Sequence, residues 1–232
     1  GKNNVKRIIY TASSSCYGIN KNTPTSEDEK ISPEYPYALT KYLGEQIILH
    51  WSKVYNLKCI SLRLFNVYGT RSRTSGTYGA MFGVFLAQKL SNKPLTIVGD
   101  GNQTRCFSYI DDCLSCLIPM LDQKNLNKQT INIGPDEEFV TINKIAEICS
   151  NLTGVNLEAI HKKDRPQEVK HATCSADKAR SLLNYKTTVS LNEGIKKTFE
   201  YIKERGTRPF DYNIKIEINN DLTPSTWKNK EV

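Results

Sequence analysis

Tyr37 and Lys41 stand four residues apart in Tyr37-Ala38-Leu39-Thr40-Lys41. At the start of a helix, that spacing puts a phenol and an ammonium on one face, about one turn from each other. A nearby cation favours the phenolate, so Lys41 is expected to lower the Tyr37 pKa toward working pH. A side chain that normally ionises near pH ~10 then becomes a general base. Upstream, the hydroxyls of Thr11, Ser13, Ser14 and Ser15 close an apolar segment that reads as a strand, so they can face the same site. Hydroxyl, tyrosine and lysine together suit hydride transfer on an alcohol. The bland reading of Tyr-x-x-x-Lys is an amphipathic surface pair.

The neighbouring motifs narrow the choice. Ser13-Ser14-Ser15-Cys16-Tyr17-Gly18, Tyr35-Pro36-Tyr37 to Lys41, Arg63-Leu64-Phe65-Asn66-Val67-Tyr68-Gly69 and Gly99-Asp100-Gly101 to Arg105 follow in that order. This order resembles the extended short-chain dehydrogenase/reductase family, specifically its nucleotide-sugar epimerases and dehydratases. The resemblance runs from about residue 4 to about residue 205. It implies an α/β fold: the C-terminal part of a doubly wound Rossmann-type parallel sheet plus a smaller α/β substrate-binding lobe. Residues 1–69, with 112–135 crossing back, are expected in the NAD-binding domain. Residues 70–111 and 136–205 are expected in the nucleotide-sugar lobe, and 206–232 form a C-terminal extension.

The resemblance also assigns roles. Tyr37 is the base, Lys41 tunes it and bonds the cofactor ribose, and Ser13 is the hydroxyl partner at the sugar O4. Thr11, Tyr37, Lys41, Leu64 and Phe65 are the implied NAD contacts. Asn66, Arg105, Arg165 and Glu168 are the implied contacts to the substrate's diphosphate and ribose. An arginine fork suits phosphate because it gives two parallel donors. Arg71 and Arg73 fit either further anion contacts or a solvated loop. Ser14 and Ser15 occupy the slots where 4,6-dehydratases carry an Asp–Glu pair, and a hydroxyl is a poor acid or base for elimination. That departure favours epimerisation. Ala172 stands where the family's epimerases place either a bulky aromatic or a small residue, so it implies room for an N-acetyl group.

Bulk properties set outer bounds. The 232 residues carry a net charge of +8 and are 38% hydrophobic, with no long apolar run. This fits a globular chain without a membrane span or signal peptide, and a cytoplasmic location is expected. Lys and Arg are scattered rather than clustered, which argues against nucleic acid. The seven cysteines are dispersed through apolar segments and read as reduced core thiols. Cys113-x-x-Cys116 lacks a second pair at ligand spacing and reads as core, so no metal is expected. His50, His161 and His171 read as structural or solvent-exposed. No Gly-rich strand–turn–helix for a pyrophosphate is present; the cluster from Gly76 to Gly83 has the wrong spacing. The first half of the cofactor domain is therefore expected to lie outside this sequence, leaving the 5–10 strand with an unpaired side.

Periodicity and punctuation predict strands at 5–12, 58–64, 94–98, 106–110, 130–133 and 157–161. Helices are predicted at 35–56, 81–90, 112–122 after an Asp cap, 142–152 capped by Thr141 and ended by Gly154, 176–183, and 191–203 capped by Ser190. Thr223-Pro224-Ser225 suits the start of a last short helix. The reading that emerges is an NAD-dependent nucleotide-sugar 4-epimerase acting on a UDP-hexose or UDP-N-acetylhexosamine, homodimeric when full-length. The alternatives are a 4,6-dehydratase or reductase on the same scaffold, or a non-catalytic binding protein.

Overall fold

The structure is a computed structural model. It describes every residue except 1, 2, 4, 20, 21, 75–80, 123–125, 136–138, 165–168, 209–218, 222, 224–227 and 229–232. In chain order its longer elements are β1 (Arg7–Ser13), α1 (Pro36–Val54), β2 (Lys58–Leu64), α2 (Met81–Leu90), β3 (Thr96–Val98), α3 (Ile110–Met120), β4 (Gln129–Ile133), α4 (Ile142–Thr153), β5 (Ile160–Lys162), α5 (Asp177–Leu183) and α6 (Leu191–Arg205).

The described residues divide into two units. The first holds residues 1–67, 105–139 and 171–188, and the second 68–104, 140–170 and 189–232.

In the first unit, β1, β2 and β4 form a parallel sheet in that order. β2 is central, so both its edges are paired; helices cover its faces, and Cys59 to Arg63 is a continuous buried run. The register pairs Ser13 with Leu64, and Leu64 with Ile133. The carboxyl ends of all three strands therefore lie side by side, where open parallel sheets bind ligands. Ile60, Leu62, Ile131 and Ile133 meet Cys113, Cys116 and Met120 of α3 and Ala179 and Leu183 of α5 in one apolar cluster. Both thiols of the Cys113-x-x-Cys116 pair are thus core side chains.

α1 starts at Pro36, whose fixed φ suits the first turn and whose missing N–H is no loss there. It buries only Ala38, Glu45 and Ser52 fully. Leu39, Leu43, Ile47 and Trp51, each four residues after the last, are exposed.

In the second unit, α2 packs against α4 and α6. The buried residues are Phe82, Phe85 and Leu86 on α2, Ile142, Ile145 and Cys149 on α4, and Leu191, Ile195 and Ile202 on α6. Their spacing of one, three, four or seven residues keeps them on one apolar stripe per helix. β3 and β5 pair in parallel beside them.

Two caps form as read from sequence. Thr141 accepts from the Lys144 amide at 3.1 Å, and Ser190 from the Glu193 amide at 3.4 Å. Gly154 ends α4 at φ 69°. The Asp cap expected for α3 does not form. The helix begins two residues earlier, and the buried Asp112 carboxylate accepts instead from the Thr188 amide at 3.1 Å and its hydroxyl at 2.5 Å. The predicted strands at 94–98, 106–110 and 157–161 are shorter, at Thr96–Val98, Ser108–Tyr109 and Ile160–Lys162. The expected helix start at Thr223 falls largely outside the described residues. Among the described residues, no helix is long and apolar enough to cross a membrane.

Candidate active site

β1 ends at Ser13, and the chain turns at once into a single 3-10 turn, Ser14–Tyr17. Ser13 caps that turn: its Oγ accepts from the Ser15 amide at 3.2 Å and lies 2.9 Å from the Ser15 hydroxyl. Gly18 closes the turn at φ 65°, a conformation side chains rarely adopt. A Cβ there would lie 2.0 Å from the Ser32 carbonyl oxygen. The hydroxyl run is therefore held by its own backbone at the carboxyl edge of the sheet.

Tyr37 and Lys41 occupy the first turns of α1. The Lys41 ammonium donates to the Thr11 carbonyl at 2.9 Å, which ties the helix to the strand two residues before Ser13. It also lies 5.6 Å from the centre of the Tyr10 ring. The Tyr10 hydroxyl donates to the Lys41 carbonyl at 3.2 Å. Burial, then the charges of Glu45 and Tyr37, push the Tyr10 phenol above its ordinary range. The Tyr37 ring is exposed and stacks on Tyr35 with centroids 6.4 Å apart.

The strand ends gather the remaining residues. Leu64 sits beside Ser13, and Phe65 is buried against Cys16, Tyr17, Cys106 and Cys174. Asn66 adopts φ 41°, and its side-chain amide donates to the Cys106 carbonyl at 2.9 Å. This is a turn residue whose amide is already engaged beside Arg105. The Cys106 amide in turn donates to the Ala172 carbonyl at 3.2 Å. Thus Thr11, Ser13, Ser14, Ser15, Tyr37, Lys41, Leu64, Phe65, Asn66, Arg105 and Ala172 all fall in the first unit. Arg165 and Glu168 lie outside the described residues. Arg71 and Arg73 are exposed and belong to the second unit. His50 and His171 are exposed, and His161 Nδ1 is 2.8 Å from the Gly99 carbonyl oxygen.

Sequence reasoning missed a buried polar network beneath these residues. Arg63 of β2 donates to Glu45 of α1 through Nε at 3.0 Å and Nη2 at 2.6 Å, and to the Tyr17 hydroxyl through Nη1 at 2.8 Å. Tyr17 donates to Asn132 Oδ1 at 2.7 Å, and Ser61 donates to Glu45 Oε2 at 2.8 Å. Burial, the largest influence, would lower the Arg63 pKa, but Glu45, Tyr17 and Cys16 together outweigh it, and the guanidinium stays charged. Burial pushes the Tyr17 phenol well above its ordinary range, and the Cys16 thiol up to about 11. The signal was present: an arginine inside a strand this apolar must find a buried partner.

Parallel sheet, hydroxyl turn and Tyr-x-x-x-Lys helix define a Rossmann-type α/β protein of the short-chain dehydrogenase/reductase class. The profile described as GDP-mannose 4,6 dehydratase matches residues 1–198, and the chain belongs to that family. A UDP-glucuronate 4-epimerase from Thermodesulfobacterium geofontis is 33% identical over 86% of this chain and 60% of its own length. The structure of a UDP-glucose 4-epimerase from Thermotoga maritima with UDP-glucose superposes with a TM-score of 0.82 at 30% identity, covering 88% of this chain and 65% of that one. A UDP-glucuronic acid 4-epimerase from Bacillus cereus, in complex with UDP-glucuronic acid and NAD, gives 0.79 at 36% identity, covering 86% and 62%. The chain thus spans 60–65% of the length of these relatives.

Proposed function

We propose that this chain carries the proton-transfer and sugar-binding half of an NAD-dependent nucleotide-sugar 4-epimerase. The observation that carries the reading is the Lys41 ammonium held 2.9 Å from the Thr11 carbonyl, which anchors the Tyr37 helix to the strand ending in Ser13. Tyr37 takes the proton of the sugar's C4 hydroxyl as the general base, and Lys41 ties the helix that carries it to β1. Ser13 donates to O4 as it becomes a ketone oxygen. NAD, when bound, accepts the C4 hydride and gives it back. The exposed Tyr37 and the Lys41 ammonium at the carboxyl edge of the sheet suit the ribose end of that dinucleotide, and Leu64 suits a face of its nicotinamide ring. Once the 4-keto sugar has turned over, Tyr37 returns its proton and the C4 configuration is inverted.

The residues at Ser14 and Ser15 favour this over 4,6-dehydration. The turn presents two hydroxyls where elimination needs a carboxyl group to move a proton. Arg105 and Asn66 are assigned to the diphosphate, with Arg165 and Glu168 contributing phosphate and ribose contacts. Ala172 leaves room at the sugar's C2 substituent, so UDP-hexoses and their N-acetyl forms are the proposed substrates. The same reading includes a homodimer and a cytoplasmic location.

The test is the product. Full-length protein carrying this chain is incubated with NAD and UDP-glucose, UDP-N-acetylglucosamine or UDP-glucuronate. An unchanged mass with an inverted C4 coupling pattern in the proton NMR spectrum is expected. Loss of one water would make the enzyme a dehydratase, and no change with any sugar would remove the reading.

A further inference from the structure

We propose that Arg63 is a positioning residue of the proton-transfer site, and that it acts on the two halves of that site at once through Glu45 and Tyr17. The inference rests on the functional reading above.

The guanidinium uses all three of its nitrogens. Two of them grip Glu45, at 3.0 and 2.6 Å, and the third reaches the Tyr17 hydroxyl at 2.8 Å. The pair is almost wholly buried, with 6% of the arginine side chain and 1% of the glutamate exposed. Glu45 lies on α1 one turn after Lys41 and two turns after Tyr37. Tyr17 closes the 3-10 turn that Ser13 caps. One side chain of β2 therefore spans from the helix carrying the base to the turn carrying its hydroxyl partner.

Apart from Ala38, apolar packing on α1 rests on half-buried side chains alone. The fully buried positions on α1 are Ala38, Glu45 and Ser52; of its large apolar residues Leu39, Leu43, Ile47 and Trp51 are exposed, and Tyr42, Ile48 and Leu49 are half-buried. A helix whose fully buried contacts are small and polar has fewer interlocking side chains to fix its rotation. The forked ion pair supplies that constraint, because a planar guanidinium accepts a carboxylate in one geometry. Ser61 donates to the same carboxylate at 2.8 Å, and Asn132 of β4 accepts from Tyr17 at 2.7 Å, so both far ends are fixed to the sheet as well.

The variant that isolates this role is Tyr17→Phe, which removes one hydroxyl and leaves the ion pair in place. A displaced catalytic group can cost about 100-fold in rate. In full-length protein with NAD and the accepted UDP-sugar, at a temperature where circular dichroism shows every variant folded, Tyr17→Phe is expected to lower kcat by about 10- to 100-fold. KM should stay within about threefold. The deciding readout is a double-mutant cycle with Ser13→Ala. If Tyr17 acts through Ser13, adding Tyr17→Phe to Ser13→Ala costs less than about threefold. The same loss in both backgrounds, or no loss in either, overturns the proposal. Should Tyr17→Phe not fold, Arg63→Lys, whose single ammonium cannot serve both partners, is read instead by hydrogen exchange at the Ser15 amide, where faster exchange supports the proposal and unchanged exchange overturns it.

Failure of the functional reading is separable. A wild-type protein that converts no nucleotide sugar removes that reading only. The positioning claim then rests on hydrogen exchange at the Ser15 amide, which donates to Ser13 Oγ at 3.2 Å. Faster exchange in Tyr17→Phe supports it, and unchanged exchange overturns it.

Discussion

At the scale of single residues, the proposed site depends on one exposed hydroxyl, that of Tyr37. Removing the Tyr37 hydroxyl with Tyr37→Phe leaves the ring stack on Tyr35 available and takes away the proton acceptor. A general base contributes about 10²- to 10⁴-fold, so kcat should fall by that factor while the protein keeps its melting temperature. The buried thiols make a prediction about stability. Burial first, then neighbouring charges, lift Cys113 from an ordinary value of 9.0 to about 12, and burial lifts Cys16 from 9.0 to about 11. Between these values the unfolded chain releases protons that the native chain keeps. The native state then binds more protons, so stability must fall as pH rises. The contribution is intact below pH 9.0 and is lost progressively as pH rises through about 11 to 12. Urea midpoints should hold steady up to pH ~9 and decline above it, and Cys113→Ala should decline less over the same interval. Tyr37 and Lys41 were legible because a one-turn spacing is a local property of sequence. Arg63 and Glu45 were not, because their partnership joins residues 18 apart through a strand register that only the fold fixes.

At the scale of elements, the hydroxyl turn depends on a glycine that no side chain can replace. Gly18 sits at φ 65°, and an added Cβ would meet the Ser32 carbonyl oxygen at 2.0 Å. That obstacle is backbone and cannot swing aside. Gly18→Ala should cost about 1–3 kcal/mol, read as a shift of the urea midpoint, and should lower kcat by disturbing Ser13. Gly44 poses a different case. Its added Cβ would fall 2.1 Å from the Tyr10 hydroxyl, the same group that donates to the Lys41 carbonyl. Gly44→Ala should therefore push α1 outward at the turn after Lys41. It should affect kcat more than stability, because alanine also favours the helix by about 1 kcal/mol. Element types were mostly readable from pattern. Thr141 and Ser190 announce helix starts because a cap needs only three residues of context. Asp112 misled because its carboxylate is taken by Thr188, 76 residues away. The strand ends were overextended where apolar residues continue past the paired register, as at Pro94.

At the scale of the molecule, the exposed side of α1 is the most unusual surface. Leu39, Leu43, Ile47 and Trp51 lie on one face at four-residue spacing, and Ile47 is 53% exposed. Contiguous apolar surface of this kind drives association in water. The same face carries none of the buried network, since Ala38, Glu45 and Ser52 point the other way. Charging it should therefore leave folding alone. Leu43→Lys with Ile47→Lys in the 232-residue chain should change stability by less than about 0.5 kcal/mol per site, as at surface positions outside such networks. Light scattering should show the variant staying monodisperse at concentrations where the parent chain associates. If the two scatter alike, association arises elsewhere, and the edge of β1 that is unpaired among the described residues becomes the next surface to charge. If the variant instead unfolds, α1 draws stability from that face, and the polar fork of Arg63 is not what holds the helix in place.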